Sequence, residues 1–297
     1  MSEAVDAVLL IGHGSRDEEG SRQFDEMVKQ VDEILKKSLT IPVYRAFLEF
    51  ARPRIDETIH ELVANGVKNL AAVPVMLLDA GHKMQDIPHE LAHAAQTYSD
   101  LHIRYGDHLG FHPDIMTVIL NRLASFAADP DTGILFVGRG SSDPVANAHF
   151  YQMSRMLWER TEYALVENAF IGITFPSLPQ GLQRIYQLGA RKIIVVPYFL
   201  FTGALFKKIE RVSYEFAAQH PDVKLSVTQY FGLEEEIIQI VAQRVHEVLR
   251  GEHTAYNVEW MRHLAVHRYP SSHHHDHHHD HHHDHHHDHH HGHAHHH

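Results

Sequence analysis

Cysteine is absent from all 297 residues. That excludes disulfides, thiolate metal sites, cysteine-ligated iron–sulfur clusters and a cysteine nucleophile. No apolar run reaches the roughly 18 residues of a transmembrane helix, so no membrane partner is expected. The opening Met1-Ser2-Glu3-Ala4-Val5-Asp6 lacks the basic region that begins a signal peptide, and a cytoplasmic location is expected. Excess positive charge is missing too. The net charge is -12, which argues against a nucleic-acid partner. There is no Gly-X-Ser-X-Gly, so a serine-hydrolase elbow has no support.

What is present is a globular composition, 43% hydrophobic and 22% charged, with a length that suggests two domains. Histidine is the anomaly. Of 33, 19 lie between His273 and His297, where His-His-His-Asp recurs. That segment has no large apolar residue and is expected to be disordered. An added tag is usually an uninterrupted histidine run, which this is not. With its four aspartates set aside, the body holds 34 acidic and 26 basic residues, a net of -8.

The body reads as strands alternating with helices. Strand 4–11 is a short apolar run of the buried parallel kind. Helix 20–37 follows, with Phe24, Met27, Val28, Val31, Ile34 and Leu35 on one face. Then come strand 42–50, a helix from Pro53 to Asn65-Gly66, strand 69–78, helix 84–98, strand 101–105 and helix 112–127. The pattern restarts: strand 133–138, helix 145–162, strand 165–173, helix 178–188, strand 191–201, helix 205–219, strand 223–230 and helix 233–250.

Each unit of the first series can be laid on its counterpart in the second. Gly12-His13-Gly14-Ser15 pairs with Gly138-Arg139-Gly140-Ser141 at an offset of 126. Ala46-Phe47 and Pro53 pair with Ala169-Phe170 and Pro176, and Val73-Pro74 with Val196-Pro197, at 123. Leu109-Gly110 and Arg122 pair with Phe231-Gly232 and Arg244 at 122. Such slow drift indicates a tandem duplication with small loop indels. The expected fold is α/β: two tandem halves, 1–130 and 131–250, each a parallel sheet flanked by helices. A linker, 251–272, and the tail, 273–297, follow.

Ligands of such folds bind outside the carboxyl ends of the strands. In the first half those ends carry His13, Glu49 and His82. Two neutral imidazoles and a carboxylate suit an open divalent-metal site, and the carboxylate can accept a proton. Read singly, each residue is equally a hydrogen-bonded structural group, and Gly-His-Gly-Ser a tight turn or a weak phosphate cradle. In the second half the three positions hold Arg139, Gly172 and Leu205. One reactive centre is therefore expected, with the second half as a wall. Arg139, Lys207, Lys208 and Arg211 on that wall, and Arg16, Arg45, Arg52, Arg54 and Lys83 around the first-half loops, suit a polyanionic small molecule. Ordinary solvated helix-end charges are the plainer reading of several of them.

Gly12-His13-Gly14-Ser15-Arg16, Phe47-Leu48-Glu49-Phe50 with Pro53, and Gly81-His82 with Asp86-Ile87-Pro88 resemble the motifs of sirohydrochlorin chelatases of the CbiX/SirB type, in the class II chelatase superfamily. The resemblance covers about residues 5–250 and includes the long, duplicated form. It implies two chelatase-like halves and insertion of a divalent metal into sirohydrochlorin, a tetrapyrrole with eight carboxylates; the histidine tail and the full two-half body favour Co²⁺, for cobalamin synthesis. Fe²⁺ insertion for sirohaem, or Ni²⁺ insertion, is the alternative. It implies that His13 and His82 hold the metal and that Glu49 takes pyrrole protons. Ser15, Arg16, Arg52, Arg54, Lys83, Arg139 and Lys207 would meet the substrate. Tail residues His273, His274, His275, His277, His278 and His279 would be auxiliary metal ligands. The divalent metal is substrate and no tightly bound cofactor is expected; tetrapyrrole-pathway enzymes are the implied protein partners. Some long members carry a cysteine cluster motif, which this chain cannot form. Two other readings are a non-catalytic metal store, with the tail as its function, and an α/β transferase holding phosphate at Gly-His-Gly-Ser.

Overall fold

The computed structural model describes residues 4–78, 82–110 and 112–252, with residues 82–85 described in backbone only. These form eight strands and eight helices in strict alternation. The first half runs β1 (Ala7–Gly12), α1 (Glu18–Leu35), β2 (Val43–Phe47), α2 (Ile55–Ala64), β3 (Asn69–Pro74), α3 (His82–Thr97), β4 (His102–Tyr105) and α4 (Pro113–Leu123). The second runs β5 (Thr132–Gly138), α5 (Pro144–Glu159), β6 (Leu165–Phe170), α6 (Leu178–Gln187), β7 (Lys192–Pro197), α7 (Ala204–Gln219), β8 (Lys224–Val227) and α8 (Glu235–Arg250). No helix among the described residues is long and apolar enough to cross a membrane.

Each half is a four-stranded parallel sheet, ordered β2-β1-β3-β4 and β6-β5-β7-β8. The central strands β1 and β5 are buried along their whole length, as expected of apolar runs covered on both faces. The order reverses between β1 and β3, and between β5 and β7. At such a switch point the helices leave to opposite faces and a crevice opens at the strands' carboxyl ends.

Three apolar cores hold this arrangement. One packs α2 and α3 on the first sheet, and one packs α6 and α7 on the second. The third is common to both halves. Its residues come from the facing sides of the two sheets and from α1, α4, α5 and α8. Helix α8 lies against α1 and α4 and reaches β3 of the first sheet. Arg122 of α4 donates to the carbonyls of Gln229 and Phe231 and pairs with Glu234 at 3.0 Å. Arg244 of α8 donates to the Leu109 carbonyl at 3.1 Å and pairs with Glu247 at 2.7 Å. Arg122 and Arg244 are counterparts in the duplication, as are Phe231 and Leu109. The two arginines thus form a reciprocal clamp, the pattern of a local two-fold axis.

The elements depart from the sequence reading mainly at the carboxyl ends of strands. The expected 42–50, 69–78 and 191–201 shorten to Val43–Phe47, Asn69–Pro74 and Lys192–Pro197. The apolar chain beyond each end leaves the ladder and lines a cleft. Helix α1 begins at Glu18, ahead of the expected position 20, because the Asp17 carboxylate accepts the Glu19 N–H at 3.1 Å.

Candidate active site

The turn after β1 brings His13 and Glu49 together through the backbone. The Gly12 and His13 carbonyls accept from the N–H groups of Leu48 and Glu49, each at 2.9 Å. The chain leaving β2 therefore runs beside the chain leaving β1, and the side chains that follow are neighbours. Gly14, at φ +88°, turns the chain away; a Cβ there would overlap the Glu49 carbonyl oxygen. The His13 Nε2 and Glu49 Oε1 atoms are 3.2 Å apart, each side chain about one-quarter exposed. His13 Nδ1 lies 3.2 Å from the Gly14 carbonyl oxygen, which can only accept. With the ring neutral and its proton on Nδ1, Nε2 presents its lone pair to a carboxylate. A neutral ring and a carboxylate so placed are two donor atoms that can hold a cation; a protonated ring would instead donate its Nε2–H to Glu49.

His82 opens α3 directly after the switch point, at the same carboxyl edge. Its side chain and that of Lys83 lie outside the described residues. So do the tail histidines His273, His274, His275, His277, His278 and His279. Among the described residues no group of three metal-ligating side chains occurs. Helices α3 and α7 are both 16 residues long, and aligning their starts pairs His82 with Ala204 rather than Leu205. The second-half position is aliphatic in either register.

A cleft of about 860 Å³ opens at the facing carboxyl edges of the two sheets. Its wall is largely apolar. Phe24, Phe47 and Phe50 come from the first half, and Phe150, Phe170 and Tyr198 from the second. Val75–Leu78 and Phe199–Phe201, the runs beyond β3 and β7, complete it. Tyr198 is buried among Phe136, Phe150 and Phe231, and burial pushes its hydroxyl pKa up, so it stays neutral. This aromatic lining is what the sequence reading missed. The signal was there, in apolar runs longer than a strand needs.

The cations divide sharply. Arg16 and Arg139 line the cleft. Arg16 lies over the Phe50 ring at 4.9 Å, and Phe50 also stacks against His13 at 6.1 Å. Arg139, at the position of His13 in the second half, reaches across to place Nη1 3.4 Å from His13 Nε2. Of the other described cations, Arg45, Arg52, Arg54, Lys207, Lys208 and Arg211 are not among the lining residues. Arg52 pairs with Glu57 at 2.5 Å, Arg45 with Asp25 at 2.8 Å and Arg211 with Glu215 at 3.0 Å. Arg54 precedes α2 as its N-cap, its backbone N–H donating to Glu57. Lys207 pairs with Asp17 at 2.6 Å and Glu19 at 3.5 Å, tying the start of α7 to the start of α1. Ser15 does line the cleft, but its hydroxyl accepts the Asp17 N–H at 3.0 Å. Ser141 does the same for Asp143 in the second half, so this pair shapes the turns.

The CbiX family model matches residues 7–126 and, a second time, 133–248. The chain is 38% identical over 252 residues to a sirohydrochlorin cobaltochelatase of Priestia megaterium, covering 83% of this chain and 81% of that protein. It is 28% identical over 257 residues to a sirohydrochlorin ferrochelatase of the same organism, covering 86% and 94%. Among solved structures, the sirohydrochlorin chelatase SirB of Bacillus subtilis subspecies spizizenii in complex with cobalt is similar, with a TM-score of 0.69 and 27% identity. It covers 85% of this chain and 98% of that one.

Proposed function

The chain belongs to the CbiX family, with two tandem copies of its domain, and from that premise we propose that it inserts a divalent metal into sirohydrochlorin, Co²⁺ before Fe²⁺. The observation that carries the reading is the 3.2 Å contact with Glu49 of the Nε2 of His13, a residue lining a large apolar cleft. The greater identity to the cobaltochelatase, 38% against 28% for the ferrochelatase, supports cobalt over iron.

The residues divide the work by their chemistry. His13, with its proton on Nδ1, offers Nε2 to the incoming ion, and His82 is the second ligand proposed. Imidazole binds Co²⁺, Fe²⁺ and Ni²⁺ firmly enough to collect them and weakly enough to give them up. The macrocycle's flat apolar faces suit the aromatic walls, and its peripheral carboxylates suit Arg16 and Arg139. As the pyrrole nitrogens take the metal, two N–H protons leave. Glu49, beside His13, accepts them and passes them to solvent. Charge balances: one dication enters and two protons depart. Ser15 acts through the turn that presents His13. In this reading Arg52 and Lys207 keep the acidic partners described above, Arg54 serves α2 through its backbone, and the tail gathers ions for the body.

Anaerobic insertion into sirohydrochlorin, followed by absorbance, tests this. Co²⁺, Fe²⁺ and Ni²⁺ are compared at limiting concentration with the full chain and with a chain ending at residue 270. Turnover by both, fastest with Co²⁺, is the expected result; a deficit of the shorter chain confined to scarce metal would assign the tail to supply. A rate no higher than the spontaneous reaction with every metal would overturn the proposal in favour of a metal store.

A further inference from the structure

We infer that Arg139 is a positioning residue that occupies the metal-binding atom of His13 until the anionic macrocycle draws it away. The inference rests on the chelatase reading above and adds an order of events to it.

The argument begins with a single lone pair. With its proton toward the Gly14 carbonyl, the neutral His13 ring has one acceptor atom, Nε2. The Arg139 guanidinium, which only donates and is always cationic, stands 3.4 Å from it. The atom that must bind the metal thus already faces a cationic donor, at the long end of hydrogen-bond range. Glu49, 3.2 Å from the same nitrogen, sets a negative charge beside the positive one. A divalent ion bonded to Nε2, at roughly 2 Å, would stand within a few ångströms of the guanidinium. Two such charges repel strongly at that distance, and one must leave.

Arg139 is built to leave. It is exposed, and among the described residues no carboxylate pairs with it. Arg45, Arg52, Arg122, Arg211 and Lys207 all have acidic partners. It also lines the cleft that receives the macrocycle. A substrate carboxylate offers it a charge-assisted, bidentate partner better than one imidazole nitrogen. Once it turns to that carboxylate, Nε2 is released to the ion. Macrocycle and metal therefore favour each other's binding, and the coupling is reciprocal. The local two-fold axis makes this possible, because the counterparts His13 and Arg139 meet across it.

The test titrates the full chain with Co²⁺ alone, for the parent, His13→Ala, Arg139→Gln and Arg139→Lys. The tail is common to all four, so the difference from His13→Ala isolates the ion bound at His13. Arg139→Gln should bind that ion about tenfold tighter than the parent, the size of one charge-assisted hydrogen bond. Arg139→Lys, which keeps the charge, should stay near the parent. Metal-free sirohydrochlorin should bind Arg139→Gln about tenfold more weakly. In turnover, the parent's KM for Co²⁺ should fall as sirohydrochlorin is raised, and that of Arg139→Gln should not change. A residue that merely supports the fold would weaken both ligands together, and that result overturns the inference. A His13-dependent isotherm indifferent to Arg139 overturns it while leaving the chelatase reading standing. Loss of any His13-dependent ion overturns both.

Discussion

Laid on each other, the two halves keep the same scaffold and differ at its tips. Ser15 and Ser141 each accept the N–H two residues on, and Asp17 and Asp143 each cap the helix that follows. Phe24 matches Phe150 and Phe47 matches Phe170 in the cleft wall. At the tips, the first half has His13 and Glu49-Phe50, and the second has Arg139 and Gly172-Ile173. What repeats serves turns, caps, packing and the apolar cleft wall; what differs is the charge and polarity at the tips. A duplicated chain thus acts as its own control, separating groups both halves keep from groups only one half carries.

The comparison breaks most visibly at His13. His13→Ala should lower insertion more than about 100-fold, since it removes a ligand and not an outer-shell partner. Transplanting the pair, with Arg139→His and Gly172→Glu on the His13→Ala background, should not restore it. A Cβ at position 172 overlaps the Arg139 carbonyl oxygen, so the transplanted carboxylate shifts the turn it depends on. Recovery of activity would show that the halves are interchangeable. Glu49→Gln should lower kcat about 100-fold, the usual scale of a lost proton acceptor, while the His13-dependent Co²⁺ isotherm persists. Loss of that isotherm would make Glu49 a ligand first.

Smaller effects sharpen the symmetric part. Arg122→Ala and Arg244→Ala should each cost about 1–3 kcal/mol in denaturant unfolding, by leaving cross-half carbonyls unpaired. Because each arginine anchors the opposite half, neither cost should be negligible. A large cost for one and none for the other would make the interface lopsided. The smallest effect concerns Asp17, whose carboxyl is held below the usual range by the hydrogen bond from Lys207 and then by the Glu19 N–H. A depressed carboxylate stabilises the folded chain above its unfolded pKa and stops doing so as pH falls through the folded value. The stability gap between the parent and Asp17→Asn should therefore be full at pH 7 and close below about pH 4. A gap that persists at pH 2 would assign it to the side chain's shape.

Much of this was legible in the residues alone. The alternation of β1 through α8, the duplication and the placing of His13 and Glu49 at strand ends all follow from periodicity and internal register. Three things were not. The strands β2, β3 and β7 end early because an apolar run reads the same whether it lines a sheet or a cleft. Lys207 and Arg52 read as substrate cations because pairing with Asp17 and Glu57 depends on three-dimensional proximity. The packing of α8 onto the first sheet depends on how two halves dock, and no single half's pattern encodes it. The offset of 122 shared by Leu109 and Arg122 with Phe231 and Arg244 was the trace it left.

The central claim is one reactive centre, on the first half only. The most direct measurement is anomalous diffraction at the cobalt edge from crystals grown with Co²⁺ concentrated enough to displace Arg139 from His13 Nε2. The account predicts one body-bound cobalt at His13 Nε2, shared with His82, and none beside Arg139 or Gly172. A peak in the second-half loops, or a first-half peak away from His13, would contradict it.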